Sequence, residues 1–307
     1  MRILVVGAGA TGGYFGAKLA MAGRDVTFLV RPGRAAALRE RGLRIVASDE
    51  DHTVRPAVVT AGELTEPYDL VLVSVKASAL DAAIKDFAPA VGPSTTIIPF
   101  LNGMAHLDTL TTRFGTSAVL AGVVFIASTL NDDGDIARLA PMRSIGFGEQ
   151  DGSRPPRVAD VEAALSGADF DVEVYTDGVS RMWSKWVFIT TVAGVTCLMR
   201  APIGDVVAVP GGAGLGPGFA AEGAAIAAAS GHPLTEQRLA GIDATVTQQG
   251  SSLTASMFRD LDAGLPTEVE HVFGDLVARA RTLVVDTPLL DLATMHLRVH
   301  QHRVAGA

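Results

Sequence analysis

The chain has few of the residues that mark secreted, membrane-spanning or nucleic-acid-binding proteins. Its single cysteine, Cys197, cannot form an intrachain disulfide, so a reducing compartment, the cytoplasm, is expected. The 25 lysines and arginines are outnumbered by 33 acidic residues, and the net charge of −8 disfavours binding to nucleic acid phosphates. No run of 18 or more apolar residues occurs, so no membrane span is expected. A soluble globular protein is predicted.

The pattern of apolar residues changes character about halfway along the 307 residues, a length that fits two domains. The first half alternates helical patterns with short apolar runs at residues 3–6, 25–30, 69–75, 96–100 and 118–126. From about residue 175, long helical patterns dominate, at residues 179–199, 218–230, 236–249, 267–284 and 288–303. The predicted fold is α/β, with a Rossmann-type doubly wound sheet at residues 1–176 and a mainly α-helical domain at residues 177–307.

A glycine-rich loop follows the first predicted strand. It reads Gly7, Ala8, Gly9, Ala10, Thr11, Gly12, a G-x-G-x-x-G pattern with a strand before it and a helix after it. In a dinucleotide-binding loop the first glycine permits the turn, the second lets the backbone approach a pyrophosphate, and the third lets helix pack on strand. A turn without a ligand is the alternative, but the strand and helix on either side favour dinucleotide binding.

Two arginines follow the second predicted strand. NAD-selective sites usually carry an acidic residue there to accept a hydrogen bond from the ribose 2′-hydroxyl, whereas this strand ends at Arg31, with Arg34 close behind. A guanidinium suits a 2′-phosphate, so NADPH is predicted over NADH. The alternative is that both arginines are simply solvated in a loop.

Polar residues also stand at the carboxyl ends of the third and fourth predicted strands, where open α/β sheets bind ligands. Lys76 follows the run at residues 69–75, and Asn102 follows the run at residues 96–100 in a Leu-Asn-Gly-Met turn. We expect both to line a site. A solvated lysine and an ordinary Asn-Gly turn are the alternatives.

The second domain supplies a candidate acid. Lys185 immediately precedes fourteen uncharged residues, 186–199, which predict a helix buried on all sides. Its ammonium is therefore expected at the wall of a core or cleft, where partial loss of hydration lowers the pKa toward neutrality and makes the group a usable proton donor. A lysine whose ammonium extends back to solvent is the alternative.

Two carboxylates lie further along, Glu268 and Glu270, at the predicted start of a helix. Residues two apart on a helix face different ways, so only one of them can point into a given cleft. The alternative is that both acids complement the helix dipole. The histidines at 296, 300 and 302 lack supporting acidic or cysteine ligands, and no metal site is expected.

Taken in order, these residues resemble ketopantoate reductase, 2-dehydropantoate 2-reductase. The resemblance covers nearly the whole chain, through the glycine loop, Arg31, Lys76, the Asn102 turn, the Trp-x-Lys around Lys185, and Ser256 with Thr267-Glu268 after it. It implies that Lys185 is the general acid, that Glu268 works beside it, that Asn102 and Lys76 flank nicotinamide and substrate, and that Ser256 contacts the substrate carboxylate. It also implies a role in pantothenate biosynthesis.

The chain departs from the family at one helix. The family's reductases carry asparagines after the catalytic lysine that reach the substrate, and these positions here are Ile189 and Ala193. A pocket with apolar groups there should tolerate a different, less polar 2-oxo acid, so the expected substrate is ketopantoate or a related, less polar 2-oxo acid.

The hypothesis is NADPH-dependent reduction of a small-molecule 2-oxo acid in a cleft between the domains. The alternatives are an NADP-dependent dehydrogenase of another substrate class and a non-catalytic NADPH-sensing module. The helical domain also offers surfaces compatible with a homodimer.

Overall fold

The computed structural model describes residues 1–306 and divides the chain into two compact units. The first unit comprises Met1–Leu101 and His106–Gly178, and the second comprises Asn102–Ala105 together with the chain from Val179 onward. The short segment Asn102–Ala105 therefore groups with the second unit, although the residues on both sides of it belong to the first.

The first unit holds all the strands in the described part of the chain. They are β1 (Arg2–Val6), β2 (Asp25–Leu29), β3 (Leu43–Val46), β4 (Asp51–Val54), β5 (Ala57–Val59), β6 (Leu70–Val73), β7 (Thr96–Pro99), β8 (Ala121–Leu130), β9 (Ile136–Gly148) and β10 (Asp171–Val174). Its helices are α1 (Ala10–Met21), α2 (Pro32–Arg41), α3 (Leu80–Phe87), α4 (Ala105–Phe114) and α5 (Pro156–Leu165).

Five of these strands form a parallel sheet in the order β5-β2-β1-β6-β7. The strands β1, β6 and β7 are buried almost throughout, as expected for parallel strands covered on both faces. From β1 the chain moves to one side through β2 and then to the other side through β6, so strand order reverses between β1 and β6. The carboxyl ends of these two strands are where such sheets bind ligands.

A second sheet, in the order β10-β9-β3-β4 with β8 paired to β9, lies in the same unit. The sequence places residues 118–126 with the parallel strands, and this holds only at their start, where Val119 pairs in parallel with Ile97 of β7. From Ala121 onward the assignment is wrong, because β8 pairs antiparallel with β9. Helix α1 contacts β1 and β2 of the first sheet and β3, β8 and β9 of the second, so it is packed between the two sheets.

Charged groups join α1 to the second sheet. Lys18, only 3% exposed, bonds to the carboxylate of Glu50 and, at 2.8 Å, to Asp169. Arg138 donates from Nε to Glu50 at 2.8 Å. Burial pushes the pKa of Glu50 upward, but hydrogen bonds from Lys18 and Arg138 outweigh burial and leave that pKa below its ordinary value. Each buried charge is therefore compensated by a residue distant in sequence.

The second unit is helical, which with the parallel sheet confirms the predicted fold class. Its helices are α6 (Gly178–Met199), α7 (Ile203–Val207), α8 (Leu215–Ala229), α9 (Glu236–Val246), α10 (Ser256–Asp262), a π-helical segment (Glu270–Gly274), α11 (Asp275–Leu283) and α12 (Pro288–Ala305). The helix predicted at residues 267–284 thus begins later, with the π segment as its first turn, and α8 begins three residues earlier than predicted.

Helix α6 is the core of this unit. By length and composition alone it could cross a membrane, but 67% of its most apolar window is buried inside the protein, as in the core helix of a globular domain. Its buried threonines satisfy their hydroxyls on the helix itself: Thr190 bonds to the Trp186 carbonyl at 2.8 Å and Thr191 to the Val187 carbonyl at 2.8 Å. These two threonines are therefore buried with their hydroxyl groups hydrogen-bonded.

Replacement of the buried Glu50 by glutamine tests the charged contacts around α1. Glu50→Gln leaves Lys18 and Arg138 buried beside a neutral amide, and we expect a loss of about 3 kcal/mol in the free energy of unfolding, measured by urea titration with circular dichroism. The neighbouring Asp51→Asn, which removes an exposed ion pair with Arg44, should change stability little. Equal effects of the two substitutions would contradict this account.

Candidate active site

The glycine-rich loop is closed tightly against the end of β6. Gly7 has φ +99°, and a Cβ at this position would lie 2.5 Å from the Ser74 carbonyl oxygen. A Cβ on Gly12 would lie 2.5 Å from the Gly7 carbonyl oxygen and 2.6 Å from the Ser74 Cβ. Both positions therefore require glycine for the loop to close where strand order reverses.

Gly9 differs from its two neighbours in the motif because open space surrounds it. No atom lies within 4 Å of a Cβ built on Gly9. Gly9 is the N-cap of α1 and makes no side-chain capping bond, so the start of the helix presents backbone and not a side chain. A helix N-terminus with free space in front of it suits a pyrophosphate, and these residues fit a dinucleotide cofactor.

The two arginines after β2 differ in their surroundings. Arg31 is exposed at the N-cap of α2. Arg34 is half-buried and donates from Nη2 to the carbonyl oxygens of Ala8 at 3.3 Å and Gly134 at 3.1 Å. Arg34 therefore supports the glycine loop, while Arg31 is the guanidinium available to an anionic ligand. The loop-supporting contact was not predicted, because its acceptors are backbone oxygens.

Lys76 lies three residues beyond β6, exposed, at the N-cap of a short 3₁₀ turn. It thus stands near the carboxyl end of β6, the same strand end against which the glycine loop closes.

In the second unit, Lys185 lies in the first half of α6, with Glu268 acting on it electrostatically. Burial is the larger influence and lowers the pKa of Lys185 to about 8, while the negative charge of Glu268 raises it in part. The amine is thus mostly in its ammonium form at pH 7, and its pKa is close enough to neutral pH for the group to give up a proton.

The two carboxylates predicted at the start of the next helix have separate partners. Glu270 is exposed and accepts from Arg298 at two 2.7 Å contacts, Nε to Oε1 and Nη2 to Oε2. Glu268 is half-buried and is the carboxylate that influences Lys185. Only one of the two acids is therefore associated with the ammonium.

A buried indole ties the lysine helix to the segment that carries Glu268. Trp186, 1% exposed, donates from Nε1 to the carbonyl of Val272 at 2.9 Å. Val272 lies in the π-helical segment, and its own N–H donates to the Glu268 carbonyl at 3.0 Å. Trp186, the residue after Lys185, is thus linked through Val272 to the backbone of Glu268. Short π-helical segments recur at functional sites.

Two arginines from other helices contact the residues on either side of Lys185. Arg238 donates to Ser184 Oγ at 3.3 Å, and Arg279 lies over the ring of Trp186 at 5.7 Å from its centre. Arg279 also pairs with Asp275 at 3.1 Å. Ser184 and Trp186, the neighbours of Lys185 in the chain, are thus each in contact with an arginine.

The Asn102 turn packs against the same π-helical segment. Gly103 has φ +80°, and a Cβ there would lie 3.0 Å from the carbonyl oxygen of His271 and 3.4 Å from its Nε2. His271 was not predicted as a site residue, and no sequence pattern marks it. The structure therefore brings the Asn102 turn and the Glu268 segment to one neighbourhood.

Ser256 is less closely tied to these groups. It is exposed as the first residue of α10, and the contacts described for residues 1–306 do not join it to Lys185 or Glu268.

The histidine cluster near the C-terminus has structural contacts instead of ligand geometry: His300 Nε2 lies 2.9 Å from the Leu265 carbonyl oxygen. Within residues 1–306 no group of three or more candidate ligands could hold a metal ion.

Known proteins match both units. Residues 3–152 match the family Ketopantoate reductase PanE/ApbA, and residues 178–301 match Ketopantoate reductase PanE/ApbA C terminal. A Bacillus subtilis (strain 168) protein described as an uncharacterized oxidoreductase, YkpB, is 34% identical over 301 residues, which cover 98% of this chain and 99% of that protein.

Solved structures share the fold across the whole chain. The 2-dehydropantoate 2-reductase from Geobacter metallireducens GS-15 is 27% identical with a TM-score of 0.88, covering 97% of this chain and 99% of that one. A D-mandelate dehydrogenase solved with NADH and anilino(oxo)acetate has a TM-score of 0.90 at 18% identity, covering 99% and 100%. The second similarity concerns the fold alone.

Substitution of Gly9 separates folding from ligand approach. Because a Cβ there meets no protein atom, Gly9→Ala should leave the thermal unfolding temperature unchanged and weaken NADPH binding at least about tenfold, measured by nucleotide fluorescence titration. Gly62→Ala, which also adds a Cβ in open space but far along the chain, is the matched control and should alter neither quantity. Unchanged NADPH affinity in Gly9→Ala would place the cofactor elsewhere.

Proposed function

Because the chain belongs to the ketopantoate reductase PanE/ApbA family, we propose that it reduces a 2-oxo acid to the 2-hydroxy acid with NADPH in the cytoplasm. The observation that carries the proposal is the ammonium of Lys185, with a pKa lowered by burial to about 8 and with Glu268 as its charged neighbour. A group with that pKa suits proton donation to an oxygen at neutral pH.

The glycine loop and Arg31 are the residues that would hold the cofactor. The open space at Gly9 supports pyrophosphate binding at the start of α1. The exposed Arg31, with no carboxylate beside it at the end of β2 to compete, supports preference for a 2′-phosphate. When bound, the reduced nicotinamide supplies the hydride that adds to the 2-oxo carbon.

Lys185 is proposed to donate a proton from Nζ to the oxygen of the 2-oxo group as negative charge develops there. Glu268 opposes the effect of burial and so keeps the lysine protonated at physiological pH. By the family resemblance, Asn102 and Lys76 flank nicotinamide and substrate, and Ser256 contacts the substrate carboxylate. Hydride and proton together convert the carbonyl to a hydroxyl.

The helix face beyond Lys185 supports a substrate with an apolar side chain. Residues four and eight positions after a helical residue share its face, and these are Ile189 and Ala193. Phe188, three positions on, and Ile189 are both partly exposed, whereas Ala193 is buried at 3% exposure behind them in the helix. A substrate group that meets this face finds hydrocarbon and no hydrogen-bonding partner.

Removal of the lysine charge tests the proposed role directly. Lys185→Met keeps a similar side-chain volume and should lower kcat for 2-oxo acid reduction about 10²-fold or more, with NADPH affinity nearly unchanged, in an optical assay of NADPH oxidation. Lys85→Met, at an exposed position on α3, is the control. Full turnover in Lys185→Met would remove this residue from the reaction.

A matched pair of substrates tests the polarity of the pocket. Ketopantoate and 3,3-dimethyl-2-oxobutanoate differ only by the 4-hydroxyl, and we expect kcat/KM to favour the compound without it by about tenfold. Ile189→Asn should shift that ratio toward ketopantoate. A preference for ketopantoate that Ile189→Asn leaves unmoved would contradict the apolar wall. If the protein binds NADPH but no 2-oxo acid oxidises it, a sensing module is favoured. If only carbonyl compounds of another class oxidise NADPH, a dehydrogenase of another substrate class is favoured.

A further inference from the structure

The segment that delivers Glu268 is irregular, although its start is tied to α10 by the Leu265 N–H, which donates to the Asp260 carbonyl at 2.8 Å. Residues 265–268 form no regular structure, and Leu265 is 50% exposed. Gly264, just before them, adopts φ +66°. A carboxylate on such a segment would not keep a fixed distance from a lysine on a rigid helix unless another element held the segment in place.

Helix α12 provides that support through two consecutive side chains. Gln301 Oε1 accepts from the N–H of Thr267 at 2.9 Å, and His300 Nε2 lies 2.9 Å from the Leu265 carbonyl oxygen. On the other side, the Glu268 carbonyl accepts from Val272 N–H at 3.0 Å. The two-residue segment Thr267-Glu268 is therefore held at both its ends.

The helix that makes these contacts is itself well anchored. Glu222 accepts from the N–H groups of Leu289 and Leu290, each at 2.9 Å, and so caps the start of α12. Leu290, Ala293 and Leu297 are fully buried. A helix fixed at its start and along its buried face can hold a loop near its other end.

We propose that Gln301 is a positioning residue that holds Glu268 against Lys185 by accepting the hydrogen bond from Thr267. The expected effect of Gln301 on catalysis rests on the proposed function, whereas its expected effect on the pKa of Lys185 does not. Gln301 touches neither cofactor nor substrate in this account. It acts through the backbone next to the carboxylate.

The chemistry of position 301 predicts how variants differ. Methionine has a similar size and no oxygen acceptor, so Gln301→Met frees the Thr267 N–H and lets Glu268 move away from the ammonium. Glutamate keeps an acceptor oxygen, so Gln301→Glu retains the contact and adds a negative charge to the neighbourhood. The charge of Glu268 raises the pKa of Lys185. Arg238 and Arg279 pack beside α6, the helix that carries Lys185.

The test compares Gln301→Met, Gln301→Glu and the control His302→Gln, which alters an exposed residue of the same helix. Three quantities are measured: kcat, NADPH affinity, and the pKa of Lys185 by NMR titration of its side chain. We expect Gln301→Met to lower kcat about tenfold, to leave NADPH affinity unchanged, and to lower the Lys185 pKa. Gln301→Glu should restore kcat to within about twofold and raise that pKa.

The outcomes separate the inference from the proposed function. An unchanged Lys185 pKa in Gln301→Met would overturn the positioning role, whatever the activity. Equal losses of kcat in both variants, together with a fall in unfolding temperature, would reduce Gln301 to a structural residue and would likewise overturn it. A wild-type chain that reduces no 2-oxo acid, yet shows the expected pKa changes, would overturn the proposed function and support the positioning role.

Discussion

The chemistry proposed for this protein depends on an ammonium that is kept partly out of water beside a single carboxylate. Burial alone would drive Lys185 toward its neutral form, and a neutral amine cannot give a proton to a developing alkoxide. The charge of Glu268 limits that effect. The distance between two groups on different elements therefore sets the protonation state on which the reaction depends.

A side chain of the lysine helix is bonded to the backbone of the segment that carries Glu268. Trp186 connects the lysine helix to Val272, and Val272 connects to the Glu268 carbonyl. In the first unit the backbone also shapes the candidate site. Gly7 and Gly12 allow close backbone packing at the loop, and Gly9 leaves room for a ligand. In both units the residues proposed to contact a ligand are few, and neighbouring residues determine their placement.

Much of the architecture was predictable because its signals are local. Parallel strands buried on both faces read as continuous apolar runs, and α6 reads as a long uncharged segment. The second sheet was not predictable, since its strands carry charges such as that of Arg138, which is typical of a solvent-facing position but is only 9% exposed in the fold. Its partner Glu50 is distant in sequence, and folding alone brings the two together.

The same distinction applies to the candidate site. Lys185 stands out in the sequence at the edge of an uncharged segment. The two acids further along look alike in the sequence but have different partners in the fold, Lys185 for Glu268 and Arg298 for Glu270. Gln301 and His271 carry no such signal, because a glutamine that accepts from a backbone N–H and a histidine beside a turn belong to no sequence pattern. Residues that act through backbone atoms become visible only in three dimensions.

The most direct measurement of the central claim is the pKa of Lys185 itself, obtained by NMR titration of its side chain in the wild-type protein, in Glu268→Gln and in Glu270→Gln. The account predicts a wild-type pKa of about 8, a lower value in Glu268→Gln because the opposing charge is gone, and no change in Glu270→Gln, whose carboxylate is paired with Arg298. A wild-type value near the ordinary lysine pKa, or equal shifts in the two variants, would contradict it.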